Sequence, residues 1–335
     1  MSKKLGICLA AAFVGAAPGG ALAEETVTLK FLTSWDKRFE GTRFIAHKYA
    51  EMVTRASNGR IKFTFSGPEV VKPRQQFEPT SRGVFDLNYS TPVYYLGTTG
   101  VPMAFYALPP SSKRWRERGY WDYADKEMAR FNLKLIGLFS AGRGSDFYQI
   151  LLKKPLAKGD MPFKGMKIRG NIFYKPLVAP LGGSLVNLNG GEIYSSLQKG
   201  VVEGAAWPVL GSVNFKWYEV AKYALRPRFG LSPFTITMNL DRFKKFSKAN
   251  QALLLKTASA LENSVPDVFD AAIKKEIATL KKLGVKETHL DPAVFERVNQ
   301  GFLKGVWNIT VNFNKKTKAR AQALYEMAKK NGDAE

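Results

Sequence analysis

Apolar and polar positions alternate from the first ordered-looking stretch of the chain. In TVTLKFLTSW, beginning at Thr26, the residues Val27, Leu29 and Phe31 fall on one face, and the pattern predicts a strand. Over 41–57 the apolar spacing lengthens to that of a helix, Asn58-Gly59 marks a stop, and RIKFTFSG resumes alternation with Ile61, Phe63 and Phe65. Strand, helix and strand in that order predict the opening of a parallel sheet. A short helix over 73–82 and a strand over 84–90 extend it. Pro102, Pro109 and Pro110 then break up a loop-rich connection before a helix predicted over 114–130.

A second series follows. LKLIGLFSAG reads as a strand that begins a crossover, and SDFYQILLKKP contains another before Lys153-Lys154-Pro155. KGMKIRG is strand-like, 172–181 helical, GSLVNLN strand-like, 192–199 helical and GVVEGAAW strand-like again. The expected fold class is therefore α/β, with two lobes, each a mixed or parallel sheet flanked by helices, around a cleft. Over 247–283, Leu254, Ala258, Leu261, Val265, Val268, Ala272, Ile277 and Leu280 recur mostly three and four apart, behind Ser247 as N-cap. At 1.5 Å per residue such a helix is about 55 Å long, enough to cross both lobes, although Pro266 predicts a kink or break midway.

The first 23 residues follow a different pattern. Lys3 and Lys4 precede the apolar run LGICLAAAFVGAA, which ends in the small-residue triplet Ala21-Leu22-Ala23. This predicts a secretory signal peptide cleaved after Ala23, and an exported, soluble protein. The single cysteine, Cys8, lies inside it, so disulfides, a thiolate nucleophile and Cys-ligated metal are not expected beyond the leader. Of the two histidines, His47 sits in an amphipathic helical pattern and His289 just ahead of the helix start at Asp291-Pro292. Neither comes with the oriented partner and nucleophile that histidine catalysis needs. G-x-S-x-G, H-E-x-x-H, P-loop and G-x-G-x-x-G motifs are absent from the sequence. No enzyme activity, cofactor or metal is expected.

The formal charge is +23, and the leader's two lysines account for two of these, leaving +21. Most basic residues come in scattered pairs, which reads as a solvated surface. Two denser runs, KRWRER from Lys113 and KKTKAR from Lys315, lie far apart in the chain. A field of this sign steers anions inward at low salt.

The ordered set FKGMKIR, LGGSLVNLNGGEIYSSLQKGVVEGAAWP and FKWYEVAKY, within 163–223, resembles the solute receptors of tripartite ATP-independent periplasmic (TRAP) transporters, the DctP family. RIKFTFSG, VFDLNYS and VPMAFYALP extend the likeness over most of the chain after the leader. The resemblance implies a periplasmic two-lobed receptor that closes on an organic-acid carboxylate and delivers it to membrane permease subunits. It also implies a monomer with no nucleic-acid partner. The lobes are expected at 24–147 with 235–274, and at 148–234 with 275–335.

The resemblance further implies that Arg169, at the end of the GMKIR strand, meets the ligand carboxylate. A guanidinium suits that role, because its planar fork matches two carboxylate oxygens and keeps its charge when buried. Trp207 in GAAWP stands where many relatives have a polar contact, and is either lobe core or cleft wall. Where some relatives carry a further arginine, this chain has Phe147, Tyr148 and Gln149, with Arg143 a few residues earlier. Fewer cations and more aromatics favour an aromatic, branched or oxo monocarboxylate, and Tyr148 can donate its hydroxyl. Asn171, Phe173, Trp35 and Tyr89 complete the candidates. The competing readings are an exported polyanion-binding protein, resting on charge, and a secreted enzyme on a similar scaffold.

Overall fold

The computed structural model describes residues 26–334, so the expected leader and its cleavage point lie outside the described residues. Two sheets organise the chain. The first has five strands in the order β2 (Ile61–Ser66), β1 (Val27–Thr33), β3 (Leu87–Ser90), β10 (Pro233–Asn239) and β4 (Leu133–Ser140). The second has six: β11 (Lys286–His289), β9 (Tyr223–Arg226), β5 (Tyr148–Leu152), β8 (Gly204–Pro208), β6 (Lys167–Arg169) and β7 (Ser184–Val186). β1 runs parallel to β2 and β3 as the alternation and the intervening helix require, whereas β10 pairs antiparallel with both β3 and β4. In the second sheet β6 is parallel to β7 and β8, and β5 is antiparallel to β8 and β9.

Several predicted helices are subdivided, each for a local reason. The 114–130 helix is interrupted by Gly119, whose φ of 76° only glycine adopts without strain, leaving Ser112–Glu117 and Tyr120–Ala129. Over 41–57 a π-helical turn, Thr42–His47, precedes the α-helix Lys48–Ala56. Pro266 does not break the long helix: Lys248–Lys282 is continuous over 35 residues, about 52 Å, with the Ser247 hydroxyl accepting from the Asn250 amide at 3.3 Å.

This helix is bolted to both lobes. On the first, the Tyr49 hydroxyl donates to the Leu254 carbonyl at 3.3 Å, and the buried Glu262 carboxylate accepts from Arg116 Nε at 2.7 Å and from the Leu138 amide at 2.7 Å. On the second, Glu276 accepts from the Val213 amide at 2.8 Å. Two further segments cross between lobes and pair with each other, Phe147 N donating to Gly230 O and Ala141 N to Ser232 O.

The end of the chain departs from the expected division. Instead of belonging to the second lobe alone, the helix Pro292–Asn312 meets Phe173 and Phe229 through Phe302 and reaches Gly100 of the first lobe at Thr310. The helix Lys318–Lys330 packs on Pro292–Asn312, Tyr325 meeting Trp307 at 5.0 Å, and on the first lobe, where Arg320 Nε donates to Glu127 at 2.6 Å and Tyr123 donates its hydroxyl to the Arg320 carbonyl. The buried Glu127 carboxylate draws this helix in, since Arg320 donates to both of its oxygens, at 2.6 and 3.1 Å, closer than Arg130 at 3.5 Å.

Burial pushes the Glu276 carboxyl up to about 7, helped by the nearby Glu40 carboxylate, while the amides of 211–213 pull the other way. Between about pH 4.5 and 7 the unfolded chain has released this proton while the folded chain keeps it, so stability falls as pH rises through that window. The expected loss is on the order of 3 kcal/mol. Denaturant unfolding from pH 4 to 8 should show this slope, and Glu276→Gln should flatten it; an unchanged slope in the variant places the titrating group elsewhere.

Candidate functional site

The strand ends converge on one small cavity. Trp35 follows β1 and Thr91, Val93 and Tyr94 follow β3, while Arg169 ends β6, Asn171 follows it and Trp207 and Pro208 end β8. Phe39, Tyr106, Tyr148, Tyr174, Ser232 and Phe234 close the remaining walls. Carboxyl ends of parallel strands at the meeting of two α/β units are where such folds accept ligands. The cavity between these side chains is only about 20 Å³, room for a single water, so its walls must part before an organic acid can enter.

Arg169 is the charged group of this chamber, and it is 2% exposed. Successive side chains of a strand point to opposite faces, and Ile168 takes the core side, so Arg169 takes the cleft side. Its Nε and Nη2 both donate to the Leu188 carbonyl, at 2.9 and 2.6 Å, and Nη1 donates to the Ala206 carbonyl at 3.0 Å. The guanidinium lies over the Trp207 ring, 4.7 Å from its centroid. These three bonds use three of the five N–H groups, so one N–H on each Nη remains. Among the described residues no carboxylate forms an ion pair with it. Burial pulls its pKa down, the cost of holding a cation away from water, yet an arginine stays protonated.

The rest of the wall is aromatic and neutral. Trp35 packs against Phe39, Tyr94 and Phe234 at centroid distances of 5.2, 5.3 and 5.6 Å. Burial raises the pKa of Tyr94, Tyr106, Tyr148 and Tyr174, so all four carry their protons. The Tyr106 hydroxyl shares a hydrogen with Thr91 Oγ1, and the Asn171 carboxamide accepts from the Phe173 amide at 2.9 Å, capping the short turn after β6. Trp207 Nε1 is buried without an acceptor. The chemistry available is therefore one buried cation with two unused N–H groups, an unmet indole donor and flat apolar walls. Once the walls part, this set of groups suits a carboxylate with an unsaturated or branched body.

The structure gathers Arg169, Trp207, Tyr148, Asn171 and Trp35 into this chamber and leaves three expected residues outside it. Tyr89 is fully buried beneath Trp35 and Phe234, one layer behind the wall. Phe173 is fully buried against Tyr106, Tyr148 and Phe302. Arg143 is exposed and turned to the long helix, where Nε and Nη2 bind Asp267 at 2.6 and 2.9 Å. Trp207 takes both of its open roles, since it lines the cavity and also packs edge-on against Trp217 at 5.3 Å.

Sequence reading missed Tyr94, Tyr106, Tyr174, Phe39, Ser232 and Phe234. A signal existed for Tyr94, four residues after a predicted strand; Phe234 belongs to the antiparallel β10 and Ser232 just precedes it, and the placement of β10 depends on distant pairing. A larger concavity opens between the helices Pro292–Asn312 and Lys318–Lys330, but its buried carboxylate, Asp333, is already bound by Arg114 and by the Tyr120 hydroxyl.

The sequence model of the DctP family, bacterial extracellular solute-binding protein family 7, matches residues 42–308. A monocarboxylate 2-oxoacid-binding periplasmic protein of Nostoc sp. is 27% identical over 187 residues, 54% of this chain and 50% of its own length, so the chain spans about half of that curated relative. A TRAP periplasmic solute-binding protein from Desulfovibrio salexigens, solved with orotic acid, has a TM-score of 0.77 at 20% identity, covering 90% of this chain and 99% of its own. A Bordetella pertussis extracytoplasmic solute receptor that binds pyroglutamic acid has a TM-score of 0.78 at 14% identity, covering 91% and 100%. The solved structures share the two-sheet, two-lobed fold described above.

Proposed function

The chain belongs to the DctP family of bacterial extracellular solute-binding proteins, and on that premise we propose that it is a periplasmic TRAP receptor for a small monocarboxylate. Its lobes close on an aromatic, branched or 2-oxo acid, which it hands to membrane permease subunits. The observation that carries the reading is Arg169: a buried cation, held by two carbonyls, with two N–H groups left for an anion. A carboxylate placed there gains a charge-assisted bidentate contact and removes the cost of the unpaired charge.

The body of the ligand follows from the walls. Trp35, Phe39, Phe234 and Trp207 favour a flat or branched apolar group, and the buried Trp207 Nε1 favours a second acceptor such as an oxo oxygen. The relative that binds 2-oxo monocarboxylates and the structure holding orotic acid support this class. The lobes are read as receptor halves hinging at the crossing segments and the long helix, with apparent affinity set by how often the closed form is populated.

A thermal-shift panel of aliphatic, keto, sugar and aromatic carboxylates, with their amides as controls, tests the proposal. At least one 2-oxo or aromatic acid should raise the melting temperature by several degrees while its amide does not, because a ligand of the native state stabilises it by mass action. Shifts confined to sugar acids would move the class, and no shift with any acid would sink the receptor reading.

A further inference from the structure

The two densest basic runs of the sequence, KRWRER and KKTKAR, are about 200 residues apart in the chain, and nothing in ligand binding uses them. The fold sets the second run beside Tyr120–Ala129, the helix that follows the first. Arg320 of the second run and Arg130, just after the helix that follows the first, both reach the buried Glu127, at 2.6 and 3.5 Å. Around this neutralised centre Lys126, Arg130, Lys315, Lys316 and Lys318 are exposed.

Phe313 stands in the same place, 49% exposed at the start of the turn that carries Lys315 and Lys316. The turn is fixed. Asn314 Nδ2 donates to the Gly97 carbonyl at 2.8 Å, Thr317 Oγ1 accepts from the Gly100 amide at 3.1 Å, and Thr99 ties the same segment to Glu127 at 2.8 Å. The turn thus holds an aromatic ring outward among lysines. At a bilayer surface its ring enters the interfacial layer while the lysines meet lipid phosphates.

We propose that this face, Phe313 with Lys315, Lys316, Lys318, Lys126 and Arg130, docks the protein on anionic phospholipid membrane. The exposed ring distinguishes lipid from other polyanions, which offer phosphate or sulfate but no apolar layer. Docking here leaves the ligand chamber, lined from the strand ends, unoccupied by the membrane contact. The inference is independent of which acid the chamber binds.

Flotation of the purified protein with phosphatidylglycerol-containing vesicles, against phosphatidylcholine alone, tests it at low and physiological salt. Binding should require the anionic lipid and weaken as salt rises. Lys315→Gln/Lys316→Gln/Lys318→Gln should lower vesicle affinity on the order of 100-fold, and Phe313→Ser roughly tenfold. The control Lys274→Gln/Lys275→Gln/Lys281→Gln removes the same charge from the exposed side of the long helix and should change affinity only a few-fold. All these side chains are exposed, and melting temperatures check that each variant folds. Equal losses in the two triple variants would overturn the proposal in favour of diffuse net charge. Binding to heparin without binding to vesicles, or Phe313→Ser vesicle affinity equal to the wild type, would overturn it as well.

Discussion

Arg169→Ala should weaken carboxylate binding on the order of 1,000-fold while leaving a folded protein, as read by calorimetric titration and circular dichroism. The expected size follows from what remains. A carboxylate drawn into a chamber of Trp35, Phe39, Trp207 and Phe234 would keep its desolvation cost and lose its bidentate partner, and removing one side of a buried charged pair costs about 2–5 kcal/mol. The fold tolerates the change better than the ligand does. Arg169 in the free protein is a cation already penalised by burial, and the Leu188 and Ala206 carbonyls it releases face the space its own side chain vacates. Arg169→Lys separates charge from geometry. An ammonium cannot hold Leu188 and Ala206 and also present two parallel donors, so this variant should lose roughly 100-fold. Wild-type affinity in either variant would show that the carboxylate sits elsewhere.

Glu262→Ala should be the most damaging substitution for stability. The carboxylate is buried and takes Arg116 through both oxygens, at 2.7 and 2.9 Å, as well as the Leu138 amide of β4. Its loss strands that amide and the Arg116 guanidinium, itself lying over Trp121 at 4.3 Å, and leaves a cavity where the long helix meets the first sheet. Breaking such a pair from one side costs about 3–5 kcal/mol. Glu262→Gln, which keeps an acceptor for Leu138, should cost less. Denaturant midpoints measure both. A loss below about 1 kcal/mol for Glu262→Ala would mean that the helix is held by its apolar face alone.

The effect has a functional side, because the helix Lys248–Lys282 is the strut on which both lobes hang. Glu262 fixes it to one lobe and Glu276 to the other.

Much of this was legible in the chain because the signals are local. Alternation placed β1, β2 and β5 to β8 but not β9 or β11, and Ser247 with the three-and-four spacing gave the long helix almost to the residue. Pro266 misled as a breaker, since it sits on the buried face beside Val265 and Phe269, where packing outweighs the one missing hydrogen bond. Arg169 was readable through an ordered set of motifs, not through its own neighbours. Arg143 shows the opposite case: its proximity in sequence to Tyr148 says nothing about Asp267, its actual partner across the fold. The tyrosines of the chamber fall in loops and short turns without periodicity, and only tertiary packing turns them inward. The place of β10 between β3 and β4 depends on pairing across more than a hundred residues, which no local pattern encodes.

If Arg169 reads the charge of a carboxylate inside a neutral aromatic chamber, an acid and its amide should separate sharply. Calorimetric titration of the wild-type protein with the best acid from the panel, and with the amide of the same acid, tests it most directly. The acid should bind at least 100-fold more tightly, since the amide matches its shape but offers one acceptor and no charge to the two free N–H groups. Equal affinities for acid and amide would contradict the account and make shape, with the cation idle, the basis of recognition.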